Sequence, residues 1–120
     1  MKTETLSADT KELVLLFIEA LNDEDFENAR KYLNKDFTFK GVMGSRDGAD
    51  AYMQDMQKMK FKYKIKKAVA DDHDVSILYD FTQGGVTLPG CAWYHVADHK
   101  IKSLTVIFDP RPLLDKASKN

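Results

Sequence analysis

One cysteine in 120 residues, Cys91, excludes an internal disulfide and a cysteine-ligated zinc cluster. Neither sign of charge is in surplus. The formal net charge is -1, so no global field draws in nucleic acid or anionic lipid, and neither is expected as a partner. No apolar run approaches the roughly 18 residues of a membrane span. The start, MKTETLSADTKE, is polar and acidic where a leader would be basic and then apolar, so a reducing cytoplasm is the expected location. The histidines, His73, His95 and His99, lack the i,i+4 spacing of a helical metal motif, and no metal or cofactor is expected. Repeats and low-complexity stretches are missing as well. What remains is a single domain over residues 1–120, with loose ends at about 1–8 and 114–120.

The residues that are present describe an ordinary globular chain, 43% hydrophobic and 31% charged. Asp9 and Glu12 form a capping-box pattern, and Leu13, Leu16, Phe17, Ala20 and Leu21 then recur at helical spacing over 10–22. Asp23 restarts a shorter helix that buries Phe26, Ala29 and Leu33. FTFKGVM alternates as a strand, and Asp47 can cap a third helix with a stripe of Ala49, Tyr52, Met53, Met56 and Met59. From residue 61 the period becomes two. FKYKIK puts Phe61, Tyr63 and Ile65 on one face, and Lys62, Lys64 and Lys66 on the other, where lysines resist stray edge pairing. DVSILYDFT, GCAWYHVA and KIKSLTVIFD follow as strands, with turns at Gln83-Gly84-Gly85 and Asp98-His99. The order α-α-β-α-β-β-β-β argues for an α+β fold with helices on one face of a curved sheet.

This order resembles the nuclear transport factor 2-like superfamily, and within it the SnoaL-like proteins, from about Glu12 to Leu113. FIEALNDEDFENARKYLNKDF resembles the family's opening helix pair, GSRDGADAYM the start of its third helix and HKIKSLTVIFD its closing strand. The resemblance implies a cystatin-like, conical barrel with three N-terminal helices packed on a curved, mostly antiparallel sheet. It also implies a pocket between sheet and helices, and pairing as a homodimer through the sheet's outer surface. The superfamily holds isomerases, dehydratases, epoxide hydrolases, cyclases and pure binders, so fold leaves function open. The positions matching the ketosteroid isomerase-like catalytic set read Phe17, Gly41 and either Cys91 or Trp93, and none can serve. Against the limonene epoxide hydrolase-like set, the carboxylates match at Asp80 and Asp109. The arginine position reads Leu78, and the water-holding positions read Phe39 and Gly41.

CAWYH, residues 91–95, sets four chemically capable side chains together. Pairing across Asp98-His99 places Trp93 opposite Leu104, His95 opposite Lys102 and Cys91 opposite Val106. The resemblance makes that face the concave one, shared with Phe108. The expected pocket is therefore lined by Phe17, Phe39, Tyr52, Met56, Trp93, His95 and Phe108, and holds a small apolar or aromatic ligand. The opposite face carries Ala92, Tyr94, Ile101, Thr105 and Ile107 for the homodimer. Asp80 sits inside an apolar strand, where a carboxylate must be paired or protonated. The phase of its strand stays open, because Val75, Ile77, Tyr79 and Phe81 form the more apolar face. The leading expectation is a small-molecule binder of undetermined activity. One alternative is a cofactor-free lyase, isomerase or hydrolase using Asp80 and His95 as acid and base, which requires the two to converge. Another is a protein-interaction module working through the sheet surface.

Overall fold

The computed structural model describes residues 2–114. Helix α1 (Lys2–Asn22) and α2 (Phe26–Lys31) lead into β1 (Leu33–Gly41) and β2 (Gly44–Asp47). Helix α3 (Ala49–Met59) follows, and then β3 (Lys62–Asp71), β4 (Asp74–Gln83), β5 (Val86–Ala97) and β6 (Lys100–Phe108). The six strands form one sheet in the order β2-β1-β6-β5-β4-β3. Every pairing is antiparallel except β1 with β6. Three N-terminal helices were expected. Instead two open the chain, the third comes after β2, and a short helical turn at 111–114 makes a fourth; only α1 and α3 are long. The β1–β2 hairpin turns at Val42-Met43, which carry no turn chemistry and were read as strand.

Local chemistry explains most element boundaries. Asp25, not Asp23, caps α2, its carboxylate accepting from the Asn28 N–H at 3.3 Å. Gly48, with φ at 95°, takes the N-cap of α3 that Asp47 was expected to hold. Gly84 and Gly85 (φ 56° and 83°) and Asp98 and His99 (φ 54° and 63°) make two-residue turns whose positive φ values suit the twist of a hairpin. Helix α1 starts well before the expected Asp9 because its early turns are fastened from afar. Thr10 Oγ1 lies 2.7 Å from the Asp72 carbonyl, and the Asp72 N–H donates to Ser7 Oγ at 2.8 Å. Thr10 is thereby a buried polar residue with its hydroxyl satisfied.

The core lies between the helices and one face of the sheet. Phe61, just before β3, and Tyr63 and Ile65 within it point inward as the alternation predicted, with Lys62, Lys64 and Lys66 outside. On β4 the inner residues are Val75, Ile77, Tyr79 and Phe81, all nearly inaccessible. That settles the open phase of this strand and turns Asp80 outward.

Strand β5 differs from its expected phase. The turn at Asp98-His99 is where it was predicted, and Ala97 pairs with Lys100 and Val96 with Ile101. One step further the register shifts, because β6 carries an extra residue, Lys102, in a bulge opposite His95. Beyond it Tyr94 pairs with Leu104, Ala92 with Val106 and Gly90 with Phe108. Ala92, Tyr94, Val96 and Ile101 are therefore buried inside, while Cys91, Trp93 and Ile107 face out. A one-residue offset exchanges the two faces of a strand.

On the outer face, Asp74 organises the near end of β4 and β5. Its Oδ1 accepts from Trp93 Nε1 at 2.9 Å and lies 2.8 Å from His95 Nδ1. Partial burial alone would raise this carboxyl. The hydrogen bonds from His95 and Trp93, with the charge of His95 and His73, outweigh it and hold Asp74 below the usual aspartate range. A depressed folded pKa means that protonation favours the unfolded chain. The Asp74 contribution should be complete above the ordinary value of 3.8 and be lost as pH falls through the depressed one. Asp74→Asn should therefore flatten the acid side of stability against pH, followed as the urea midpoint between about pH 5 and 2. An unchanged slope would count against it.

A second expectation concerns Gly90, which lies inward between two rings. A methyl group there would stand 2.8 Å from Tyr79 Cε1 and 3.3 Å from Phe81 Cε1. Gly90→Ala should cost about 1–3 kcal/mol through overpacking. An unchanged denaturation midpoint would show that the rings can give way.

Candidate functional site

The inner face is not completely filled. Between α3, β1, β2 and the far ends of β3 to β6 lies a cavity of about 450 Å³. Its floor and walls are aromatic. Phe39 stacks at a tilt on Tyr52 with centroids 5.2 Å apart, and Tyr63 meets Tyr79 edge-on at 5.1 Å. Phe81 meets Phe108 at 5.0 Å and Phe61 at 5.5 Å, both T-shaped. Edge-to-face contacts of this kind favour rings that buttress one another rather than collapse into the space between them. Met56 of α3 and Leu104 and Val106 of β6 complete the apolar wall. The rim is apolar too: Val42, Met43 and Met59 are all exposed there, although they border the opening.

Charge is confined to the mouth. Arg46 of β2 and Asp55 of α3 both border the cavity and pair at 2.6 Å, which joins the β-hairpin to the helix across the opening. The hydrogen bond to Asp55 raises the Arg46 guanidinium still further above its usual value. Inside, polarity is supplied by tyrosine. Burial pushes the phenols of Tyr52, Tyr63, Tyr79 and Tyr94 above their ordinary range. The neighbouring tyrosines add to this for Tyr52, Tyr63 and Tyr94. These hydroxyls stay protonated at neutral pH and can donate hydrogen bonds.

The residues singled out in the sequence fall into two groups. Phe39, Tyr52, Met56 and Phe108 line the cavity. Phe17 is fully buried behind it, edge-on to Tyr94 at 6.4 Å, and so is core rather than lining. Trp93, His95 and Cys91 lie on the other side of the sheet, because of the Lys102 bulge. Trp93 is 54% exposed, which is incompatible with the inward wall expected of it. Asp80 also faces outward and pairs with Lys66 at 3.2 Å. His95 is the register neighbour of Asp74, six residues before Asp80 on the same strand and so roughly 20 Å from it. Asp80 and His95 therefore share no site, and neither reaches the cavity. Asp109 is exposed and pairs with Arg111 at 2.6 Å, and neither carboxylate of the epoxide hydrolase-like pattern lines the cavity. Among the described residues no group of three or more potential metal ligands occurs.

The tyrosines and charged residues of the site that the sequence reading did not assign are Tyr63, Tyr79, Tyr94, Asp55 and Arg46. Two left a signal. Tyr63 stood on the apolar side of a clean alternation, and Tyr79 on the more apolar face of β4. Tyr94 is hidden by the bulge, and the Arg46–Asp55 pair joins two elements whose packing no spacing reveals.

The family model described as a SnoaL-like domain matches residues 14–104. Among curated proteins none matches. An NTF2-like protein of unknown function from Cytophaga hutchinsonii ATCC 33406 is 50% identical, with a TM-score of 0.86 over 88% of this chain and 94% of that one. An LEH-like epoxide hydrolase from M. tuberculosis is 21% identical, with a TM-score of 0.77 over 95% of this chain and 98% of the other, a likeness of fold alone. A de novo designed protein with a curved β-sheet also matches, at 15% identity and a TM-score of 0.76 over 93% and 96% of the two chains. The residues matched, the element order and the curved sheet lead to one conclusion: the chain belongs to the SnoaL-like family of NTF2-like proteins.

Proposed function

We propose that this protein binds a small, largely apolar molecule in the cavity between α3 and the sheet. The observation that carries this reading is the open, ring-lined space of about 450 Å³, within the range of small-molecule sites. A well-packed core of this size would have few voids larger than a water molecule. The acid–base alternative built on Asp80 and His95 loses its support, since both face away from that space and lie roughly 20 Å apart on the outer face. Tetralin, an apolar bicyclic probe, should bind saturably at one site and shift NMR signals of Tyr52, Met56 and Phe108. Val106→Trp, which fills the cavity from β6, should weaken that binding at least about tenfold while the fold persists. Unsaturable binding, or shifts confined to Trp93 and its neighbours, would sink the reading.

We also propose that two copies pair through the outer sheet face. Trp93, Leu78 and Ile107 are 54%, 45% and 64% exposed there, a run of large apolar side chains beyond what isolated surface residues need. The face expected from the sequence survives with different members, since Ala92, Tyr94 and Ile101 turn inward. Light scattering at micromolar protein should give twice the chain mass of 13.7 kDa, and Trp93→Glu should reduce it to one. A wild-type protein that stays at the single-chain mass would remove the dimer.

A further inference from the structure

The cavity holds an unusual set of unused hydrogen-bond donors. Tyr52 is 3%, Tyr79 2% and Tyr94 3% exposed, and all three line the same space. Among the described residues none of their hydroxyls has a hydrogen-bond partner. Among the described residues no buried side-chain polar atom is sealed away without a partner, so these hydroxyls are accessible, and the residues that carry them line the cavity. Tyr63 adds a fourth phenol, held only by a 3.9 Å contact to Met56 Sδ. The four come from four different elements, α3, β3, β4 and β5, so no one element's geometry accounts for their meeting.

Three phenols lining one cavity offer three donors to whatever enters it. We infer that Tyr52, Tyr79 and Tyr94 form the recognition site for a neutral hydrogen-bond-accepting oxygen, a carbonyl, on a flat apolar ligand. This inference rests on the proposed binding of an apolar molecule and gives that molecule its polar end. The surroundings decide for a neutral acceptor over an anion. Among the described residues the one cation lining the cavity, Arg46, sits at the mouth and is already paired with Asp55, so a carboxylate placed among the rings would meet no described counter-charge. The phenols resist ionisation in the same low-polarity surroundings, and their protons remain available to the acceptor.

The test compares three probes of one shape, by calorimetry on the full chain: tetralin, 1-tetralone and 1-naphthoate. The ketone should bind about tenfold more tightly than the hydrocarbon, as a hydrogen bond made inside an apolar site implies. The carboxylate should bind most weakly, and the carbonyl stretch of bound 1-tetralone should move to lower frequency. Tyr79→Phe, Tyr94→Phe and the double variant should lose the ketone's advantage over tetralin. Because the hydroxyls have no protein partner, these variants should denature no earlier than wild type, whereas a structural role would lower their midpoints. Equal binding of ketone and hydrocarbon, or tightest binding of the carboxylate, would overturn the inference and leave the pocket standing. Failure of all three probes to bind would remove the pocket reading and this inference together.

Discussion

Adjacent residues of a β-strand point to opposite sides, and in this protein both sides of the sheet carry large side chains that differ in kind. Along β5 the inner series Gly90, Ala92, Tyr94, Val96 alternates with the outer series Cys91, Trp93, His95. Gly90, Ala92 and Tyr94 are each fixed by a neighbour on β4 and another on β6, so the register of these two pairings decides what the cavity contains. Much of the interior follows from that. Gly90 leaves room for the Tyr79 and Phe81 rings, those rings meet Tyr63 and Phe108, and the space they prop open is bounded by α3.

The elements themselves were largely legible. Alternation in FKYKIK and the stripe on α3 are local signals, and both place their residues on the sides the structure shows. What escaped depended on distant partners. Nothing in KIKSL announces a bulge, since Lys102 becomes the extra residue only when β5 is laid beside it. The first turns of α1 are tied to Asp72, more than sixty residues away in sequence. The Val42-Met43 turn has neither glycine nor asparagine at its tip, although Gly41 and Gly44 flank it. The site suffered in proportion. Phe39, Tyr52, Met56 and Phe108 came from elements whose phase was right, whereas Trp93 and His95 came from the one strand whose phase was reversed.

Shape alone assigns no chemistry here. A designed protein and an epoxide hydrolase share this chain's fold at low identity, so a curved sheet packed with helices is compatible with very different uses. The distinguishing information is in which groups face the space. An acid–base pair is not assembled from Asp80 and His95, whose carboxylate and imidazole are occupied on the outer surface by Lys66 and Asp74. Phenols, by contrast, are gathered in the interior.

The bulge at Lys102 has a consequence for how such a protein diversifies. Deleting Lys102 would only close the bulge and leave Tyr94 opposite Leu104, but drawing Lys102 into the ladder by a one-residue slip would put Leu104 opposite Trp93 instead. The indole and the imidazole would turn toward the helices, and the phenol toward solvent. Point substitutions change this cavity one group at a time, but a one-residue slip of register would exchange its whole β5 wall for the outer surface. The same strand therefore carries, on the side away from the cavity, a second and chemically different set of groups.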